Sequence, residues 1–314
     1  MTPAFWRGKR VLLTGHTGFK GSWLCLWLQN LGASVAGYSL PPPTNPSLFE
    51  LAHVAGGMGS VTGDVRDFDH LRRVIAEHRP EIVVHLAAQS LVRYSYANPV
   101  ETYATNVMGT VNLLEAVRQT GGIRVAIIVT SDKCYENREW HRGYREDDML
   151  GGHDPYSSSK ACAEIVTAAY RRSYFEKGGT LPAVASVRAG NVIGGGDWST
   201  DRLVPDMMTA FISNRPAVIR NSHAIRPWQH VLEPLAGYLL LAERLWTGGG
   251  QYVGSWNFGP DETDACPVSR LADRLTAACG NSVCWQQVGG EQPHEASYLR
   301  LDSSKARQQL GWLP

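Results

Sequence analysis

The sequence predicts an α/β protein: a doubly wound parallel sheet with a smaller second lobe. Three observations carry this reading. Short apolar, β-branched runs alternate with helical segments up to Ala189. A glycine-rich turn joins the first such run to the first helix. Past Ala189 the alternation loosens, and Gly, Pro and Trp accumulate.

Arg10–Thr14 (RVLLT) is an apolar run closed by glycine and reads as the first strand. Leu24, Leu28 and Leu31 then recur at helical spacing over Gly21–Leu31, and Ala33–Tyr38 completes a strand–helix–strand unit. Pro41–Pro46 is a loop. A strand over Val61–Asp64 precedes a helix over Asp69–His78. After Pro80, EIVVHLAA is the uninterrupted apolar run of a strand buried on both faces. Val107, Val111, Leu114 and Val117 mark a long helix over Pro99–Arg118. Val125–Thr130 is a buried strand, Tyr156–Arg172 a helix and Ala183–Arg188 another strand. Gly194–Trp228 shows weak periodicity. Leu232–Trp246 and Val268–Cys279 are helical, with strands at Ser255–Phe258 and near Val283–Gln287. The sheet is therefore of Rossmann type. Residues 1–192 with 229–259 are expected to form it, and 193–228 with 260–314 the smaller substrate-binding lobe.

Of the 314 residues, 43% are hydrophobic and 19% charged, enough for a sizeable core. Thirty basic and 29 acidic residues leave a net charge of +1, without the basic excess of a nucleic-acid binder. Anionic ligands must be gripped by local groups. Cys25, Cys134, Cys162, Cys266, Cys279 and Cys284 show neither CxxC nor metal-ligand spacing. They read as reduced thiols of a cytoplasmic protein, and no metal is expected. No run approaches the roughly 18 apolar residues of a spanning helix, and the N-terminus lacks the apolar core of a signal peptide. Neither a membrane nor a nucleic-acid partner is expected.

The turn Thr14-Gly15-His16-Thr17-Gly18-Phe19-Lys20-Gly21 follows a strand and opens a helix. Its glycines at 15, 18 and 21 allow a tight turn and close approach of a pyrophosphate to the positive helix N-terminus. Alone, this spacing also suits a plain strand-to-helix turn; within a strand–helix–strand unit it points to a dinucleotide. The second strand ends Gly37-Tyr38-Ser39, with neither an acid for a ribose hydroxyl nor a basic residue for a 2′-phosphate, so NAD and NADP stay open at this position. Asp64 could face the adenine amine or cap its own loop.

Tyr156 and Lys160 stand at i and i+4 on one helical face. An ammonium nearby favours the phenolate, so this tyrosine can take a proton from a sugar hydroxyl while the adjacent carbon is oxidised. Ser131 follows the strand Val125–Thr130, at the carboxyl edge where ligands sit in open α/β sheets. Ser131, Tyr156 and Lys160 form a Ser-Tyr-Lys set. Arg188 reads as structural, and Trp198 and Trp228 as packing residues more than stacking ones.

The segments LLTGHTGFKGSWL, PSLFE, HLAAQSLVRYSY, TSDKCYEN, DPYSSSK, VRAGNVIGGGDW, IRPWQHVLEP and LDSSKA…LGW cover nearly the whole chain. Together they resemble the extended short-chain dehydrogenases, and among them the sugar-nucleotide 4,6-dehydratases acting on CDP-glucose. The resemblance implies NAD as cofactor, contacted by Gly15, Thr17, Phe19, Gly18, Gly21, Asp64, Val65, Leu86, Ala87, Ala88, Asn106, Tyr156 and Lys160. It implies CDP-glucose or a similar nucleotide sugar as substrate, held by Gln89, Arg93, Asn191 and Arg226, with the arginine at 226 on the diphosphate. Asn106 also reads as a helix-distorting residue, and Arg93 as a surface ion-pair partner. The discriminating pair is Asp132-Lys133: where the dTDP-glucose enzymes carry Asp-Glu, this chain resembles the CDP-glucose enzymes in carrying lysine.

On that resemblance, Lys133 removes the C5 proton and Asp132 protonates the departing C6 hydroxyl. Asp132 must then be buried enough to hold a proton, and Lys133 desolvated beside a cation such as Lys160. A continuous strand would send Asp132 to the opposite face from Ser131 and Lys133, so the strand should end near Ser131. A C4 epimerase and a non-catalytic NAD-responsive binding protein are the alternatives, the latter disfavoured by the intact Ser-Tyr-Lys set. Relatives dimerise through two helices, here those around Val100–Arg118 and Tyr156–Arg172, and continue past LGW with a further helix.

Overall fold

A computed structural model describes residues 1–176, 181–261, 264–280, 283–287 and 298–314. Seven parallel strands form the main sheet: β1 Arg10–Thr14, β2 Ser34–Ser39, β3 Gly59–Thr62, β4 Ile82–His85, β5 Val125–Val129, β6 Ala183–Ala189 and β7 Gly254–Phe258. Their order is β3-β2-β1-β4-β5-β6-β7. The chain reverses its direction of growth between β1 and β4, and the crevice at their carboxyl ends is where open α/β sheets bind ligands.

Strand pleat distributes the side chains between two cores. Val11, Leu13, Ile82, Val84, Val125, Ile127 and Val129 enter one, with Leu24 and Leu28 of helix Phe19–Asn30 and Leu235 and Leu239 of helix Leu232–Gly248. Leu12, Val83, Ala126 and Ile128 enter the other, with Leu71 and Val74 of helix Phe68–His78 and Leu113 and Val117 of helix Gly109–Gln119. The central residues of these strands are apolar because both faces are covered. Asp67 caps the helix Phe68–His78 by accepting the His70 N–H at 3.0 Å, and Arg79 ends it in the left-handed region.

The second lobe has its own core, built from Met207 and Phe211 of helix Leu203–Ile212, Ala217 and Ile219 of strand Ala217–Ile219, and Val268 and Ala272 of helix Val268–Cys279. Strand Ile225–Pro227 pairs antiparallel with Ala265–Pro267, and Ala217–Ile219 pairs parallel with Trp285–Gln287. The expected assignment of 260–314 as a whole to this lobe does not match the packing. Ala306, Leu310 and Trp312 enter the core of the large sheet. Leu299 and Leu301 pack with Cys134, Tyr135 and Tyr144 beneath the turn after β5.

Candidate active site

Gly15 lies in the left-handed region, and a Cβ there would stand 2.6 Å from the Ala87 nitrogen. One at Gly21 would collide with the Gly15 carbonyl oxygen. Gly18 is the N-cap of helix Phe19–Asn30 and offers no side chain to its free N–H groups. The turn thus brings bare backbone donors to the switch point, a cradle that suits a pyrophosphate. Thr17 hydrogen-bonds Ser39 across the crevice at 2.8 Å and donates to the Leu40 carbonyl at 2.9 Å. The Asp64 carboxylate accepts from the Arg66 side chain and from its backbone N–H, the last at 2.9 Å, so within the chain it caps its own loop. Val65 is buried beside Gly109.

Asn106 sits in a π-turn, Ala104–Met108, inside the long helix. Its side chain accepts from the Gln89 N–H at 2.8 Å and donates to the Gln89 carbonyl and to Ser159, both at 2.9 Å. Ser159 in turn donates to the Tyr156 carbonyl at 2.7 Å. Asn106 therefore ties the loop after β4, with Leu86, Ala87 and Ala88, to the helix that carries Tyr156, which is the helix-distorting role. The Gln89 amide is likewise engaged within the loop, donating to Thr102 and Leu91 and accepting from the Leu91 N–H.

β5 ends at Val129, and Ser131 caps a short helical turn, Asp132–Cys134. The Ser131 hydroxyl donates to Asp132 Oδ1 at 2.9 Å and accepts the Lys133 N–H at 3.2 Å. The turn abolishes strand alternation, so Asp132 is buried and Lys133 half-buried, neither turned out into bulk water. Burial raises the Asp132 pKa above the ordinary carboxylate value, against Lys133, the Ser131 hydrogen bond, Arg226 and Lys20, which lower it. Helix Pro155–Tyr170 begins at Asp154, whose side chain accepts from Ser157, and presents Tyr156 and Lys160, both buried. Burial depresses Lys160 to about 8, and its ammonium points to the Val129 carbonyl at 3.4 Å. Tyr156 departs from expectation: burial pushes it up to about 12, with the Ser131 hydrogen bond and Arg202 pulling down and Asp132 pushing up.

On the second lobe, Arg226 lies in strand Ile225–Pro227 and acts electrostatically on Asp132. The Asn191 carbonyl accepts the Gln229 N–H at 3.1 Å, which fixes the segment joining the two lobes. A Cβ on neighbouring Gly190 would stand 2.9 Å from Asp132 Oδ2 and 3.0 Å from Pro227 Cγ, so carboxyl and second lobe meet there. Arg93 lies 3.8 Å from Asp201, the ion pair that its alternative reading anticipates.

The profile of the family described as GDP-mannose 4,6 dehydratase matches residues 12–314. The chain belongs to this family. A CDP-glucose 4,6-dehydratase of Salmonella typhimurium is 56% identical over 315 residues, covering 99% of this chain and 87% of that relative. Among solved structures, an epimerase of Methanothermobacter thermautotrophicus superimposes with a TM-score of 0.85 at 22% identity, covering 99% of this chain and 89% of the other. A dTDP-glucose 4,6-dehydratase of Streptomyces venezuelae, solved with NAD and TYD, gives 0.82 at 24% identity, covering 97% and 92%. At such identities these two likenesses establish the fold.

Within this family member, three features escape motif reading. Lys20 lies near Asp132, Lys160, Arg202 and Asp197, and burial depresses it to about 8. Arg202 bonds Asp197 at 2.8 Å and reaches Ser90 at 3.3 Å, linking the lobes across the crevice. Glu164, one turn beyond Lys160, accepts from Ser186 at 2.7 Å, Arg188 at 2.8 Å and Thr130 at 2.5 Å. Arg188 continues to Tyr135, and Tyr135 to Asn257. This buried network clamps the segment after β5 between helix Pro155–Tyr170 and β7.

Arg188→Met should cost about 3–5 kcal/mol in chemical denaturation, because it strands a buried carboxylate. Adding Glu164→Gln should restore part of that loss. Burial acts to raise the Glu164 pKa, but Arg188 and the hydrogen bonds outweigh it and the pKa is lowered. The carboxylate's stabilisation is therefore complete above its unfolded pKa and is lost as pH falls through the folded value. Glu164→Gln should flatten that acid limb.

Proposed function

We propose that this protein removes water from CDP-glucose to give the 4-keto-6-deoxy sugar, using NAD bound at the glycine turn. The carrying observation is the turn after β5: a buried Asp132, whose pKa burial raises, and the adjacent Lys133, beside Tyr156 and Lys160. CDP as the nucleotide rests on the 56% identity to the Salmonella enzyme. NAD held at the glycine turn would supply the hydride-transfer chemistry, oxidation at C4 and reduction at C6. Tyr156 takes the C4 hydroxyl proton, with Ser131 orienting that hydroxyl and Lys160 favouring the phenolate. The resulting ketone acidifies C5–H; Lys133 takes that proton, and Asp132 protonates the C6 hydroxyl as it leaves. Arg226 and Asn191 hold the diphosphate, Arg226 by a fork of N–H donors. Arg93 and Gln89 shape the sugar entrance. Asp64 and Val65 border the adenine.

The test is product identification by NMR after incubation with CDP-glucose and NAD, backed by the ultraviolet absorbance that 4-keto-6-deoxy sugars develop in alkali. CDP-galactose as the product would make the protein a C4 epimerase. No product from any nucleotide glucose would leave a binding protein.

No helix among the described residues is long and apolar enough to cross a membrane. We place the reaction in the cytoplasm, in keeping with six unpaired cysteines. We also infer a homodimer through the helices Pro99–Gln119 and Pro155–Tyr170. Val100, Met108 and Ile165 stand there 81%, 51% and 57% exposed, apolar side chains that a partner's helices would cover. Ile165→Asp should convert the dimer to a monomer in sedimentation velocity. A monomeric wild type would sink this inference.

A further inference from the structure

We propose that Ser131 is a proton relay: the proton that Tyr156 takes from the C4 hydroxyl passes through the Ser131 hydroxyl to Asp132 and leaves with the C6 hydroxyl as water. This role rests on the dehydratase reading.

The proposed reaction moves protons unevenly between two groups. Tyr156 gains the proton of the C4 hydroxyl, and Asp132 loses one to the departing C6 hydroxyl. Lys133 takes the C5 proton and returns it to the same carbon once C6 is reduced. Each turnover therefore leaves one proton too many on the phenol and one too few on the carboxyl. The net reaction, a sugar giving a deoxyketosugar and water, exchanges no proton with solvent. Tyr156, Ser131 and Asp132 are each more than nine-tenths buried, so bulk water is poorly placed to redress the balance.

The hydrogen bonds supply a route inside the site. Ser131 Oγ donates to Asp132 Oδ1 at 2.9 Å and accepts the Lys133 N–H at 3.2 Å. A hydroxyl has one proton to give and two lone pairs. Because that proton points to Asp132, Ser131 meets Tyr156, its other hydrogen-bond partner, as an acceptor, and the phenol is the donor. The chain thus runs one way, from phenol to hydroxyl to carboxylate. The helix that carries Tyr156 is pinned to the strand end. Lys160, one turn beyond Tyr156, lies 3.4 Å from the Val129 carbonyl, and Glu164, a turn further, accepts from Thr130. Helix Pro155–Tyr170 packs directly on the turn Asp132–Cys134. As the phenol proton moves to Ser131, the serine proton moves to Asp132. Two O–H bonds break and two form: Tyr156 is left as phenolate, Ser131 keeps a hydroxyl, and Asp132 holds the proton that the C6 oxygen needs. Burial of Asp132 raises its pKa and so narrows the gap to the phenol that this transfer must climb.

Ser131→Ala cuts the chain. It also removes the group that orients the C4 hydroxyl, so cofactor reduction by CDP-glucose should slow. The relay predicts that formation of the 4-keto-6-deoxy product slows by at least about tenfold more. Reduced cofactor should build up, and deuterium should still enter C5 because Lys133 is intact. Fluoride departs with far less help from an acid than hydroxide does. With CDP-6-deoxy-6-fluoroglucose, product formation in Ser131→Ala should therefore again keep pace with cofactor reduction, as in Asp132→Asn. Ser131→Thr, which keeps the hydroxyl, should restore the wild-type ratio with CDP-glucose. A serine that only orients the C4 hydroxyl would slow both substrates alike. Product in step with cofactor reduction in Ser131→Ala, or a fluoro substrate no better than CDP-glucose, would overturn the relay. If the wild type dehydrates no nucleotide glucose, the functional reading fails and the relay with it; dehydration by the wild type with Ser131→Ala in step removes the relay alone.

Discussion

Tyr156→Phe should lower kcat for dehydration of CDP-glucose by about 10²–10⁴-fold while leaving NAD affinity and thermal stability close to wild type. The change removes one oxygen from a ring whose place is fixed by other groups. The Tyr156 N–H donates to Ser95 at 3.1 Å, its carbonyl accepts from Ser159 at 2.7 Å, and Asp154 caps the helix. Packing therefore survives, and the loss reports chemistry. Burial above all leaves this phenol at about 12, so deprotonation at neutral pH needs further help, which the positive ring of a bound NAD would supply. The acid limb of kcat should report deprotonation of Tyr156. The residual activity of the phenylalanine variant should lack that limb. A variant retaining more than half of wild-type kcat would remove Tyr156 from the reaction.

How much of this was legible in the sequence depended on length and contrast. The seven main strands and their intervening helices were readable because runs such as RVLLT, EIVVHLAA and VAIIVT contrast sharply with the flanking glycines, prolines and charges. The second lobe was not. Its strands run two or three residues, too short to display a period, and helix Leu203–Ile212 is apolar nearly all round, which hides the stripe that marks a helix. The docking of Trp312 into the large core is a tertiary choice that no local pattern announces. At the site, Ser131, Tyr156 and Lys160 could be proposed because their types and spacing carry chemistry, and Asp132 and Lys133 because of the family resemblance. Lys20, Glu164 and Arg202 could not, since their roles arise from segments far apart in sequence that meet only in the fold. The expected lowering of the Tyr156 pKa failed for a related reason. The i, i+4 spacing sets Lys160 near the tyrosine, but the lysine hydrogen-bonds the Val129 carbonyl and burial dominates the phenol.

Lys133→Met should separate oxidation from elimination. The set that serves C4 (Ser131, Tyr156 and Lys160) is untouched by this change, so mixing the variant with CDP-glucose should still build up reduced-cofactor absorbance. Removal of the C5 proton should slow by about 10²–10⁴-fold, read as loss of both deuterium exchange at C5 and the alkali-induced absorbance of the product. Two other lysines depressed to about 8, Lys20 and Lys160, are the natural rivals for the role of base. Lys160, on the tyrosine's helix, is held to the Val129 carbonyl, and Lys20 acts on Asp132 only electrostatically. Lys133 shares the Asp132–Cys134 turn with that acid, and its N–H is pinned by the Ser131 hydroxyl, the group that orients the C4 oxygen. The proposed reaction asks this base to act on the carbon between the oxidised C4 and the departing C6 hydroxyl. Should Lys133→Met dehydrate CDP-glucose at the wild-type rate, the base lies elsewhere, and the same measurement repeated in Lys20→Met would show whether the glycine-turn lysine supplies it.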